Sequence, residues 1–499
     1  MPPCSPPPFP QNPHIFTPDK RFALIPPRAA ADPGGIDTSE PIVLFPALRR
    51  SSYRRRLWML AAGVALFLAI ATGGEMARRA AAAPKTAADG GVFALDFIAF
   101  YTGGTFVREG RHRELFDIPA VAAYQHELAR QNGADLGTAV GPWWNPPFYA
   151  WVFAPLSRLP FGVASNLWVA FNVACAAAAC WMLARTLPRG LGWRTYALVP
   201  VLVFLSTPFI HAVTHGQNAC TSLLIVTGAV TLWRAERRFL AGLVAGLMFY
   251  KPQHAAVLGA VMTLTLGWRV AAGMAVTGVA LLLVTVVTLP GALTDFLTRM
   301  PANVVLVQEG TPYLWDRHAT LKAFWRLLVQ GPAAGPQAKA VTVIVAACAA
   351  VVGVLLLRLT ACLPKLNRPA YPVRNTPAHR DRVIAATFLA TPLLVPFYFD
   401  YDLLMLAVPA VLLAHNRMTT GRAIAGGRVD RCFLVVAPFA YAWLMLNADV
   451  AEKTTVNLTV PLLAVLTLLV AWPGRARAAE VPAVESAENR KPQPLARAA

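Results

Sequence analysis

Charge is what this sequence has least of. Only 14% of its 499 residues are Asp, Glu, Lys or Arg, while 56% are hydrophobic. A soluble protein carries about 25% charge, so the shortage excludes an ordinary water-soluble enzyme. Apolar runs of about 15–25 residues, broken by basic or Pro/Gly-rich stretches, read instead as a polytopic helical membrane protein. Acid is scarcer than base: 25 Asp and Glu stand against 45 Lys and Arg, a net charge of +20. In a soluble chain that excess would suggest nucleic acid. Here it sits in the N-terminal arm, the short loops and the C-terminal tail. That is the positive-inside pattern, so no nucleic-acid partner is expected. The seven cysteines form no CxxC pair, and several lie inside apolar runs. They read as small buried hydrophobes rather than a disulfide framework or zinc site. P-loop, GxGxxG, HExxH and GxSxG motifs are all missing. The triplet "DYD" at 400–402 has metal-binding spacing but opens a span, so no metal or cofactor is assigned.

What is present sorts into three regions. Residues 1–52 form a Pro-rich polar arm without a signal-peptide core, expected to be disordered and cytoplasmic. Residues 53–472 form the membrane domain, and 473–499 a second disordered tail. Arg54, Arg55 and Arg56 precede a first span at 57–74 and hold the N-terminus inside. A large extracytoplasmic loop, 75–160, follows. The remaining expected spans are 161–184, 195–211, 217–233, 239–250, 252–267, 270–289, 338–357, 383–398, 401–415, 432–446 and 457–472. Alternating them puts every short basic loop on one side, which supports about 12 spans with both termini cytoplasmic. The stretch 239–267 reads as one long helix or two short ones. Two are favoured, turning at Lys251-Pro252, where proline breaks the hydrogen-bond ladder. Residues 290–337 become a second, smaller outer loop.

With this orientation the unusual polar residues collect on the outer side. Asp96 and Tyr101 lie in "LDFIAFYTGG", and Asn145 in "WNPPFYAW", an apolar stretch too short to span. It reads as an interfacial helix, with Trp143, Trp144 and Trp151 suited to the headgroup layer. "HAVTHGQN" supplies His211, His215, Gln217 and Asn218; Lys251 and His254 sit at the broken pair. "WDRHATLKAFWRLL" supplies Arg317, His318 and Lys322, and "PFYFDYDLLML" Asp400 and Asp402. A charge at mid-bilayer costs about 2.5–3.5 kcal/mol on insertion scales, so Lys251 and Asp402 are functional candidates. Plainer roles stand beside these. Asp96 has the position of a helix cap, Lys251 that of a snorkelling lysine, and His211 and His254 suit packing.

The order of these pieces resembles glycosyltransferase family 87, within the GT-C superfamily of polyprenol-phosphate-dependent membrane glycosyltransferases. The resemblance rests on "LDFIAFYTGGTFVREGRHRELFD" (95–117), "WNPPFYAWVFAPLSRLPF" (144–161), "HGQNACTSLLIV" (215–226), "LAGLVAGLMFYKP" (240–252) and "PFYFDYDLLMLAVP" (396–409). It implies an all-α GT-C bundle in a bacterial plasma membrane with an extracytoplasmic active site. It also implies a hexosyltransferase, mannosyltransferase-like, taking its sugar from a polyprenyl-phosphate donor to an envelope glycolipid or glycan. The family's loop-one acid falls on Asp96, its Lys-Pro position on Lys251, and its polar boundary on His215 and Gln217.

The residue types suit that chemistry. A carboxylate takes the proton of an attacking hydroxyl. The leaving lipid phosphate is already anionic and needs cations rather than an acid; Lys251, Arg317 or Lys322 would supply them. Tyr101, Asn145, His318, Asp400 and Asp402 complete the candidate substrate-binding set. The alternative reading is a transporter or lipid flippase, which would show repeated halves and mid-bilayer charges; neither stands out.

Overall fold

The computed structural model describes residues 96–311, 313–360, 376–424 and 426–472. The expected N-terminal arm, first span (57–74) and C-terminal tail lie outside these residues. The described chain is helical, with an isolated bridge between His318 and Phe399. In chain order the helices are α1 (Phe97–Arg108), α2 (Ile118–Gln131), α3 (Phe161–Ala184), α4 (Trp193–Phe204), α5 (Thr207–Thr214), α6 (Ala219–Arg234), α7 (Arg238–Gly246) and α8 (Pro252–Leu266). They continue as α9 (Trp268–Thr288), α10 (Ala292–Gly310), α11 (Leu321–Gln330), α12 (Lys339–Thr360), α13 (Pro377–Leu394), α14 (Ala407–Thr420), α15 (Gly427–Thr454) and α16 (Thr459–Ala471).

Local chemistry sets many of the boundaries. Asp117, Ser206, Thr320 and Thr376 each accept a bond from a first-turn backbone N–H, capping α2, α5, α11 and α13. Five helical segments are long and apolar enough to cross a membrane: Phe161–Ala184, Trp268–Thr288, Lys339–Thr360, Asp400–Thr420 and Gly427–Asn447. A sixth arises if α4 and α5, bent by 51° at their break, form one span. Every other expected span among the described residues coincides with a helix too short or too polar to pass that test alone.

Helix directions follow from the contacts. Gly242 meets Val270, Gly246 meets Thr277 and Phe249 meets Gly278, so α7 and α9 run parallel. Gly259 of α8 meets Met274 of α9 across the turn at Gly267, so those two are antiparallel. The chain therefore reverses at Lys251-Pro252, as two short helices require. Gly242 and Gly246 supply the close contact, in the small-xxx-small pattern that draws membrane helices together. A Cβ on Gly242 would collide with the Val270 carbonyl oxygen, whereas one on Gly353 would meet nothing within 4 Å. Gly242→Ala is therefore expected to destabilise by about 1–3 kcal/mol, the usual cost of overpacking. Gly353→Ala, spared that contact, gains helix propensity. Thermal melts in detergent compare the two, and equal melting temperatures would refute the close-packed pair.

The two ends of the bundle differ. At one end Arg234 clasps the fully buried Asp381 with two bonds of 3.0 and 3.1 Å, tying α6 to the start of α13. Asn416 donates to the Ala378 carbonyl, and Arg382 to the carbonyls of Val470 and Trp472. The ends of α6, α14 and α16 thus meet the start of α13, and Arg417 pairs there with Asp430. The opposite end gathers the polar residues described next.

Candidate functional site

The site begins at the first helix. Asp96 occupies the N-cap position of α1, yet its side chain makes no capping bond. Its carboxylate instead accepts from the Gln217 amide at 2.8 Å, and its backbone N–H donates to the His215 carbonyl at 3.1 Å. This bears directly on the choice between cap and functional acid. The turn that delivers Gln217 needs a glycine: Gly216 has φ +70° at the end of α5. Trp168 of α3 pins that turn by donating its indole N–H to the Gly216 carbonyl at 2.8 Å.

Around Asp96 the structure assembles residues from four further segments. Arg317 donates to both oxygens of Asp400, at 3.1 and 3.2 Å. His211 Nδ1 meets the same carboxylate at 2.9 Å, and the Tyr401 backbone N–H donates to it at 2.7 Å. Lys251 Nζ donates to Asp402 at 2.5 Å, and lies 5.8 Å from the Tyr401 ring centre. Tyr401 stacks on Phe399 at 5.2 Å and stands within electrostatic reach of Asp96, Asp402, Arg317 and Asp400. Three carboxyl groups thus face two cations. Asp402 engages one donor of Lys251, and Asp400 two of Arg317. A lysine has three donors and an arginine five, so both keep hydrogens for a ligand.

The imidazoles play a different part. Burial, then the nearby Arg317, pushes His215 down to about 4, against a smaller opposing pull from Asp96. Burial and Arg317 push His318 down to about 3. Both are therefore neutral from pH 5 to 8 and add no positive charge to the site. Folded values depressed in this way favour the folded state above the unfolded pKa of about 6.5, an advantage lost as pH falls through the folded values. Arg317 goes the other way: burial alone would lower it, but Asp400 more than offsets that and keeps it a cation.

Not every candidate joins the cluster. Tyr101 donates to the Leu159 carbonyl at 2.8 Å and packs on Phe161, bracing α1 against the start of α3. Asn145 is half-buried, with no hydrogen bond among the described residues. His318 stands behind the site, its ring 3.9 Å from that of Phe399 and its Nε2 bonded to the Tyr313 hydroxyl at 2.9 Å. Lys322 turns to Gln308 at 2.7 Å. Trp143, expected in the headgroup layer, is buried in the core, because Gly103 has no Cβ and leaves a slot for its indole. Trp151 is partly exposed, donating to Thr288 at 2.8 Å.

Sequence reasoning gave His211 a packing role and missed Tyr401. His211 and His215 stand four residues apart at one helix end, a visible signal that both face one way. Nothing in the sequence marks Tyr401 beyond its place between two aspartates. Among the described residues no group of three or more His, Cys, Asp or Glu is placed to hold a metal. Gln217→Leu removes the one side chain bonded to the Asp96 carboxylate among the described residues. A hydrogen bond to a charged group contributes about 1.5–3 kcal/mol. The variant is therefore expected to lose roughly tenfold or more in kcat with little change in KM, read from initial rates of the reaction proposed below. An unchanged kcat would show that Asp96 is held by other means.

An acid aimed away from its own helix, beside the partly coordinated Arg317 at one end of an apolar bundle, suits a membrane enzyme. Comparison with known proteins gives the class: residues 143–372 match the family model for glycosyltransferase family 87, which supports a glycosyltransferase. The match takes in Asn145, His215, Gln217, Lys251, Arg317 and His318; Asp96, Tyr101, Asp400 and Asp402 lie outside it. No curated protein and no solved structure matches the chain.

Proposed function

We propose that this glycosyltransferase moves a hexose, mannose first among the candidates, from a polyprenyl-phosphate donor to an envelope glycolipid or glycan. On this reading residues 53–472 form the catalytic domain. It crosses a bacterial plasma membrane about 12 times, with both termini cytoplasmic and the Asp96 cluster outside. The observation that carries the reading is the Asp96 carboxylate. It is free of capping, held by Gln217, and grouped with Arg317 and, through Tyr401, with the Lys251–Asp402 pair.

The steps follow from those positions. The acceptor hydroxyl gives its proton to Asp96 as its oxygen attacks the anomeric carbon. The bond from that carbon to the phosphate oxygen breaks on the opposite face, so the sugar inverts. The electron pair leaves with the polyprenyl phosphate, whose charge the remaining Lys251 and Arg317 donors stabilise. His215, Asp400 and Asp402 hold these groups in place, and Tyr101, Asn145 and His318 shape the surroundings. A place for the lipid tail supports the same reading. An apolar groove of about 290 Å³ runs between α4, α14, α15 and α16, from Leu187 and Met418 up to Leu403 and Leu404. Those two leucines directly follow Asp402, so a chain in the groove would bring its headgroup to the cluster.

The test is transfer by purified protein in nanodiscs, offered a panel of radiolabelled polyprenyl-phosphate sugars with native membrane extract as acceptor. Labelled product from one donor, with the anomeric configuration inverted, supports the reading. Transfer only from nucleotide sugars would overturn it.

A further inference from the structure

The segment 290–337, expected to be a second outer loop, carries an apolar exposed face. Along α10 the exposed apolar residues are Leu297, Pro301, Ala302, Val305 and Leu306, with Thr294, Thr298 and the half-exposed Arg299 beside them. Leu297, Val305 and Leu306 are 63%, 53% and 58% exposed. Asp295 and Asn303 turn inward. Asp295 is 4% exposed and takes the Arg113 guanidinium at 2.6 Å, and Asn303 donates to the Phe116 carbonyl at 2.9 Å. Arg299 reaches back to Asp295 and Asp117. The next helix shares the buried charge, with Leu321 and Leu327 also buried. In α11, Arg326 is buried and donates to the carbonyls of Ala333, Gly335 and Pro336, while Leu328 and Val329 point outward.

A helix beside water does the opposite, keeping charge outside and leucine inside. A helix beside hydrocarbon is arranged as these are. Yet α10 is not among the helices apolar enough to cross a membrane. Its outward face also continues from an established lipid-type surface. Leu283 and Val287 of the spanning helix α9 are 57% and 75% exposed, and only Leu289, Pro290 and Gly291 separate α9 from α10.

We propose that α10 and α11 lie at the membrane surface with their outward stripes among the acyl chains of the bilayer, on the side that holds the Asp96 cluster. Lipid, rather than water, then borders the segment that carries Arg317. The inward ion pairs anchor this layer to the 112–117 turn, and the stripe anchors it to the bilayer.

The test places p-benzoylphenylalanine at Leu297, Val305 or Leu306 in the full chain, in phosphatidylcholine nanodiscs. After irradiation, mass spectrometry identifies the adducts. Position 131, exposed at the end of α2, is the control. Phospholipid adducts at the three stripe positions, at least tenfold above the control, are expected. Adducts to protein, whether a second copy or the chain's own N-terminal residues, would overturn the proposal. So would yields equal to the control. The readout is independent of sugar transfer, so failure of the proposed reaction leaves it untouched.

Discussion

Asp96→Asn is expected to reduce sugar transfer by about 10²–10⁴-fold, the usual contribution of a general base, while leaving the fold intact. The structure makes this substitution unusually clean. The Asp96 side chain caps nothing, so α1 loses no terminal partner. An asparagine oxygen still accepts from the Gln217 amide, which preserves the turn at Gly216. Only the capacity to take a proton disappears. Transfer by the folded variant, its melting temperature in detergent matched to wild type, is the decisive measurement. A rate within tenfold of wild type would remove Asp96 from the chemistry. A large fall in melting temperature would instead assign it a structural role.

The sequence carried the helix positions well, for physical reasons. Arginine-rich breaks and Pro or Gly turns punctuate the apolar runs. The expected span 161–184 coincides with Phe161–Ala184, and the reversal at Lys251-Pro252 follows from proline's missing N–H. Partnerships were hidden. Arg317 and Asp400 are 83 residues apart, and Lys251 and Asp402 are 151 apart; no local spacing announces either pair. The face of α10 was hidden for another reason. Composition reports how apolar a helix is, and not whether its leucines meet protein or lipid. Three charges fall in the nineteen residues of α10, and the sequence does not show that Asp295 turns inward.

Those long-range pairs raise the question of whether Arg317 serves the fold or the reaction, and a pair of variants separates the two. Both partners are largely buried, with 18% and 9% of the side chain exposed. Removing one member of a buried pair strands the other charge and costs about 3–5 kcal/mol. Arg317→Met is expected near the lower end, because the Tyr401 N–H still donates to Asp400 and His211 still meets it. Replacing both partners by apolar residues of similar size is often nearly neutral, so Arg317→Met/Asp400→Leu is expected to recover much of the lost stability. Transfer behaves differently if Arg317 faces the leaving phosphate. The double variant regains its melting temperature but remains at least tenfold slower than wild type. Melting and transfer rates on the same preparations read both quantities. Recovery of the two together would make the pair a strut and leave Lys251 alone to meet the phosphate. Recovery of stability without rate would place Arg317 at the reacting group, with Asp400 fixing its orientation.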